Sequence, residues 1–144
     1  MLKAFWLGNI YTWSGPAPDV VDPDYLAGLS AVVIREAAKL GQCVIVGRGA
    51  QCVLQEREDT FHVFVYGSRQ EKLKRIRNRY PTHAECEASL DEFDRIRAAY
   101  IRSYYRCDWT DRHLYHLMIN SDLGIDRAVE VILNAAGLAA PEKR

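Results

Sequence analysis

The sequence predicts an α/β fold built on a parallel sheet, and two observations carry that expectation. The first is a set of short apolar runs. Cys43-Val44-Ile45-Val46 is continuously apolar and bounded by Gly41 and Gly47, which suits a strand buried on both faces, the habit of parallel sheets. The second is what separates these runs: segments whose apolar residues recur three and four positions apart, the mark of amphipathic helices. Strands that alternate with helices read as crossover units and a parallel sheet.

The elements follow in order. Residues 1–21 are aromatic and turn-rich, with Ser14-Gly15-Pro16 and Pro18-Asp19 marking an irregular segment. Asp22 can cap a helix because its carboxylate accepts from unpaired first-turn amides, and Pro23 fits the first helical position. Leu26, Leu29, Val33, Ala37 and Leu40 form the expected buried stripe, and Gly41 offers a left-handed stop. The strand Cys43–Val46 leads into the tight turn Gly47-Arg48-Gly49-Ala50 and a short helix to about Leu54. Phe61–Tyr66 is the second strand. Ser68, with Glu71 three residues later, opens a helix running to about Tyr80. A long helix covers about Ala84–Tyr105, Leu114–Asn120 is the third strand, and a final helix spans about Asp126–Ala136 before Gly137. Residues 1–144 therefore read as one domain, with an irregular start (1–21), an α/β body (22–137) and a tail (138–144).

Composition agrees with this picture. A chain of 144 residues is about one domain long, and that size buries roughly 68–70% of its unfolded surface. An apolar fraction of 49% argues against a disordered chain. The 19 basic and 19 acidic residues cancel, so no global field draws in nucleic acid. No apolar run reaches the roughly 18 residues of a membrane span, and the N-terminus lacks the pattern of a secretory signal. Cys43, Cys52, Cys86 and Cys107 lie far apart with no C-x-x-C pair. They read as reduced thiols of a cytoplasmic protein, with no metal site expected.

Four segments could carry chemistry. Gly47-Arg48-Gly49 stands at the carboxyl end of a strand, where open α/β sheets bind ligands. Glycines there allow close approach to an anion, and arginine grips phosphate with two donors. The string is not a dinucleotide fingerprint, because Cys52 stands where the third glycine belongs. The second segment is a basic helix, with Arg69, Lys72, Lys74, Arg75, Arg77 and Arg79 against the single anion Glu71. Such a face can neutralise a transferring phosphoryl group, or simply be solvated. The third is Asp91-Glu92-Phe93-Asp94-Arg95-Ile96-Arg97, where Asp91–Arg95 and Asp94–Arg97 are spaced for helix ion pairs. Asp94 could meet ligand hydroxyls and Arg97 a phosphate. The fourth, Arg97 to Arg106 with Tyr100, Tyr104 and Tyr105 interleaved, could stack bases or pack a half-buried helix with snorkelling arginines.

Together these strings resemble the cytidylate-kinase-like family of nucleoside monophosphate kinases. The resemblance rests on Val46-Gly47-Arg48-Gly49-Ala50, on Phe61–Tyr66 feeding the basic helix, on Asp94-x-x-Arg97-x-x-Tyr100, and on Asp108-Trp109 followed by Tyr115–Asn120, in that order from about Asp22 onward. It implies a three-layer P-loop nucleotide-kinase fold and phosphoryl transfer from ATP, with magnesium, to a CMP-like acceptor. Under it, Gly47, Arg48, Gly49, Asp94 and Arg97 bind the acceptor nucleotide, and Arg75 and Arg79 fall in the catalytic lid helix. The family's Gly-Arg-Asp string is Gly47-Arg48-Gly49 here, which leaves strict CMP preference open.

The sequence also departs from the family. It contains no G-x-x-x-x-G-K-[ST] and no Gly-Lys dipeptide, although that loop cradles the ATP phosphates and its hydroxyl holds magnesium. The expected sheet is therefore incomplete, with about three strands and the first, central one lacking, and the chain alone is expected to be inactive. An oligomer or partner chain covering the open sheet is expected too, since unpaired strand edges seek partners. Three readings follow: a truncated or split family member, a natural short form that binds nucleotide without transfer, or a nucleic-acid or protein interaction module using the Arg/Tyr helices.

Overall fold

A computed structural model describes residues 3–6, 22–77, 80 and 82–138. In chain order these form β1 (Lys3–Trp6), α1 (Pro23–Leu40), β2 (Cys43–Val46), α2 (Ala50–Val53), β3 (Val63–Tyr66), α3 (Arg69–Ile76), α4 (His83–Tyr105), β4 (Leu117–Asn120) and α5 (Ile125–Ala135). Single 3-10 turns occupy Arg112–Leu114 and Ser121–Leu123. All strand pairing is parallel, in two ladders, β1–β2 and β3–β4. The three expected strands are present, and β1 is a fourth, in the segment expected to be irregular. Four residues are too few to show a period, and pairing with β2 makes them a strand, Lys3 opposite Cys43 through Trp6 opposite Val46. Ser14-Gly15-Pro16 and Pro18-Asp19 lie outside the described residues. The chain divides into two compact units, Met1–Thr60 and Phe61–Arg144.

In the first unit α1 begins and ends as its sequence dictates. The Asp22 carboxylate accepts from the Asp24 N–H at 3.0 Å, and Pro23 opens the helix. Gly41, at φ 66°, donates its N–H to the Ala38 carbonyl at 3.1 Å. The buried face matches the expected stripe only in part, at Ala37. Ala27, Ile34, Ala37 and Ala38 are buried, whereas Leu29, Val33 and Leu40 are 47%, 38% and 72% exposed. The alanines allow the helix backbone to approach α2 and β2 closely, so the small-residue face is the one that packs. Ile34, fully buried, anchors this core with Ala38 and Leu54, flanked by Ile45, Ala50 and Val53.

In the second unit, β3 and β4 pair from Val63 opposite Leu117 to Tyr66 opposite Asn120. Both strands start later than expected, and His62 explains why. Its carbonyl accepts from the His116 and Leu117 amides at 2.9 and 3.2 Å, while its own N–H donates to His116 Nδ1 at 2.9 Å. That side-chain bond takes the place of a ladder bond and ends the regular pairing there. Upstream of β4, the Asp111 carboxylate accepts from the His113 N–H and folds Arg112–Leu114 into its turn. The helix α4 starts on a full capping box: Thr82 Oγ1 accepts from the Glu85 N–H and Glu85 accepts from the Thr82 N–H. It buries Cys86, Leu90 and Ile101. The four cysteines are free thiols. Among the described residues no helix is long and apolar enough to cross a membrane.

The first-unit core makes Ile34 its most sensitive position. Ile34→Ala should cost about 2–5 kcal/mol in urea unfolding, and Leu29→Ala, on the exposed face, only about 0.5 kcal/mol. Equal losses would contradict this assignment of the buried face.

Candidate functional site

The turn after β2 is backbone-strained. Gly47, Arg48 and Gly49 have φ of 79°, 57° and 72°, three consecutive residues in the left-handed region. Glycine adopts it freely; for Arg48 it costs roughly 1–2 kcal/mol. The conformation is fixed from the α2 side, where the Ala50 N–H donates to the Gly47 carbonyl at 3.2 Å and the Cys52 and Val53 amides donate to the Gly49 carbonyl at 2.9 and 3.0 Å. Arg48 is half-buried and stands at the carboxyl end of a parallel strand. Residues held in sparsely populated backbone regions cluster at functional sites.

In the second unit the acceptor pair of the sequence reading meets a third residue. Lys72 Nζ, from α3, lies 3.0 Å from Asp94 Oδ2, while Arg97 Nη1 lies 3.0 Å from Asp94 Oδ1. Lys72 and Asp94 side chains are each 32% exposed and Arg97 59%, so the cluster is open to solvent. One turn back, Arg69 pairs with Asp91 in two-pronged fashion and reaches Glu87 at 3.8 Å. The hydrogen bonds from Arg69 hold the Asp91 carboxyl below its usual range. The expected Asp91–Arg95 pair does not form, because Arg69 takes Asp91 across the helix seam and Arg95 turns to Glu92 at 2.7 Å instead.

Arg75 is placed elsewhere. Its guanidinium donates to Ser121 Oγ at 3.0 Å and to the Ser121 carbonyl at 3.3 Å, just past the end of β4. Ser121 Oγ in turn donates to the Tyr66 carbonyl at 2.8 Å. The neighbouring Asp122 carboxylate accepts from the Ser68 N–H at 3.1 Å. Hydrogen bonds from Ser68, side chain first, hold the Asp122 carboxyl below its usual range, with the Arg75 charge adding to the effect. Arg75 thus ties α3 to the carboxyl ends of β3 and β4 and is not bonded to Asp94. Arg79 lies outside the described residues.

The Arg/Tyr stretch packs upon itself. The Tyr100 ring lies 5.0 Å from that of Tyr104 and 6.1 Å from that of Tyr105. Its hydroxyl oxygen is buried and has no partner among the described residues. These aromatics are a packed cluster and not a row of splayed faces. Asp108-Trp109 is likewise structural in its contacts. Asp108 caps the Thr110 N–H at 2.9 Å, and Trp109 meets the Phe64 ring edge-on while its carbonyl accepts from the Tyr115 hydroxyl at 2.6 Å.

Comparison with known proteins settles the family. The profile of the cytidylate kinase-like family matches residues 2–123. The chain belongs to that family. A crystal structure of an uncharacterized protein from Eubacterium ventriosum ATCC 27560 has the same fold, with a TM-score of 0.73 at 22% identity, over 81% of this chain and 74% of that one. No curated protein matches the sequence. Within the family frame, sequence reasoning named Asp94 and Arg97 but not the part Lys72 plays beside them. Lys72 stood out only as one of six cations on a helix, and only the packing of α3 on α4 singles it out.

Gly67, where β3 turns into α3, is required by the Ser121 arrangement. A Cβ there would sit 2.9 Å from Ser121 Oγ, which Arg75 and the Tyr66 carbonyl hold in place. Gly67→Ala should therefore destabilise the chain by about 1–3 kcal/mol in urea unfolding, and an unchanged midpoint would show that Ser121 yields freely.

Proposed function

We propose that this chain carries the acceptor side of a nucleoside monophosphate kinase: it binds a CMP-like nucleotide and does not transfer phosphoryl groups by itself. The observation that carries the reading is Arg48, held in a left-handed turn between two glycines at the carboxyl end of β2. The strain fixes where the side chain starts from, and its planar fork suits two terminal oxygens of a phosphate. In the second unit, Asp94 and Arg97 offer acceptor chemistry of their own. An ionised carboxylate accepts from ribose hydroxyls, and the guanidinium beside it attracts a phosphate.

The described helix starts support the absence of transfer. Bound ATP would bring the phosphoryl group, with magnesium neutralising its charge. Its phosphates need free helix amides and a lysine. Instead α1 opens on the Asp22 carboxylate, α3 carries Glu71 and α4 carries Glu85 in its first turn, α5 has no side-chain cap at Gly124 but carries Asp126 in its first turn, and α2 has only four residues. Carboxylates at those positions occupy the helix start and repel anions. The donor groups therefore do not fit the described residues, and no step of transfer is derived for them.

Arg48→Ala tests the reading. By calorimetry it should weaken CMP binding at least about tenfold, the effect of losing a charge-assisted bond, and leave cytidine binding unchanged. Equal losses for CMP and cytidine would remove Arg48 from the phosphate.

A further inference from the structure

We infer that Lys72 is a further phosphate-binding residue of the acceptor site, poised by Asp94 beside Arg97. The inference rests on the acceptor reading above and adds a residue from a different helix. Its basis is the charge balance along the seam between α3 and α4. At the first turn of the seam Arg69 pairs with Asp91 and reaches Glu87, which His83 also approaches at 3.8 Å. That arrangement is a helix tie with a carboxylate for its guanidinium and another beside it. At the next turn the balance reverses. Two cations, Lys72 and Arg97, converge on the single carboxylate of Asp94, one on each oxygen. The cluster keeps one net positive charge and is about one-third exposed at Lys72 and Asp94.

The donor count points the same way. A lysine ammonium has three N–H donors and a guanidinium five. Asp94 accepts one from each. An ionised carboxylate offers about four lone-pair positions, so Asp94 can hold both cations and still accept from ligand hydroxyls. The two cationic heads are therefore held one carboxylate apart, with unspent donors facing the same solvent-open cluster. A tie between two helices needs one cation for this carboxylate; the second makes it a seat for an anion. Lys72 contributes a compact point charge, which complements the directional fork of Arg97.

The test uses the full chain with Lys72→Gln, which keeps a donor for Asp94 but removes the charge, and Lys72→Arg, which keeps the charge. Arg97→Ala is the reference, and CMP and cytidine are titrated calorimetrically into each. Lys72→Gln should bind CMP about tenfold more weakly and cytidine as the parent chain does, while Lys72→Arg retains CMP binding. The urea midpoint of Lys72→Gln should stay near that of the parent, since solvent-accessible ion pairs contribute little to stability. CMP binding unchanged by Lys72→Gln but weakened by Arg97→Ala would overturn the inference and leave the acceptor reading intact. Equal losses for CMP and cytidine in Lys72→Gln would overturn it as well. A parent chain that binds no CMP would overturn both.

Discussion

Parallel pairing is the constraint from which the rest of this structure follows. A strand that pairs in parallel with its predecessor cannot be reached by a tight hairpin; the chain must cross over, usually through a helix. The element order reflects this, with α1 between β1 and β2, and α3 and α4 between β3 and β4. The ends of β2, β3 and β4 then release the chain into turns with chemical consequence: Gly47-Arg48-Gly49 after β2, Gly67-Ser68 after β3, and Ser121-Asp122 after β4. The candidate phosphate arginine and the Arg75–Ser121 anchor both stand at such ends, as the fold class requires of ligand sites.

The second organising element is electrostatic. The helices α3 and α4 meet along a ladder of ion pairs in which acidic excess at Arg69 gives way to basic excess at Asp94. Neutral overall, the chain concentrates its usable positive charge through tertiary packing, so its zero net charge says nothing against a phosphate site. The same packing explains why one basic helix serves two roles. Lys72 faces the seam, whereas Arg75, three residues on, is turned to Ser121 and holds α3 against the strand ends.

Much of this was legible in the sequence, and the misses have physical causes. Asp22-Pro23 and Gly41 bounded α1 correctly, because capping is local chemistry readable from side-chain type. The face that α1 buries was read only in part: Ala37 of the expected stripe is buried, but Leu29, Val33 and Leu40 are exposed, and Ala27 and Ala38 pack instead because small side chains allow the closer approach. Hydrophobicity alone does not register that advantage. β1 escaped notice because four residues paired to a distant strand carry no periodicity. Arg48, Asp94 and Arg97 were readable as residue types in a family order, but the replacement of the Asp91–Arg95 pair by Arg69–Asp91 was not. Helix spacing names which pairs are near on one helix, and not which cation a second helix delivers.

The central claim is that an acceptor site exists here without its donor half. Calorimetric titration of the purified chain, first with CMP and then with magnesium-ATP, tests it most directly. The account predicts saturable CMP binding and no heat of binding from magnesium-ATP. Binding of magnesium-ATP would mean that other residues cradle its phosphates. A folded chain that binds neither would contradict the acceptor site itself.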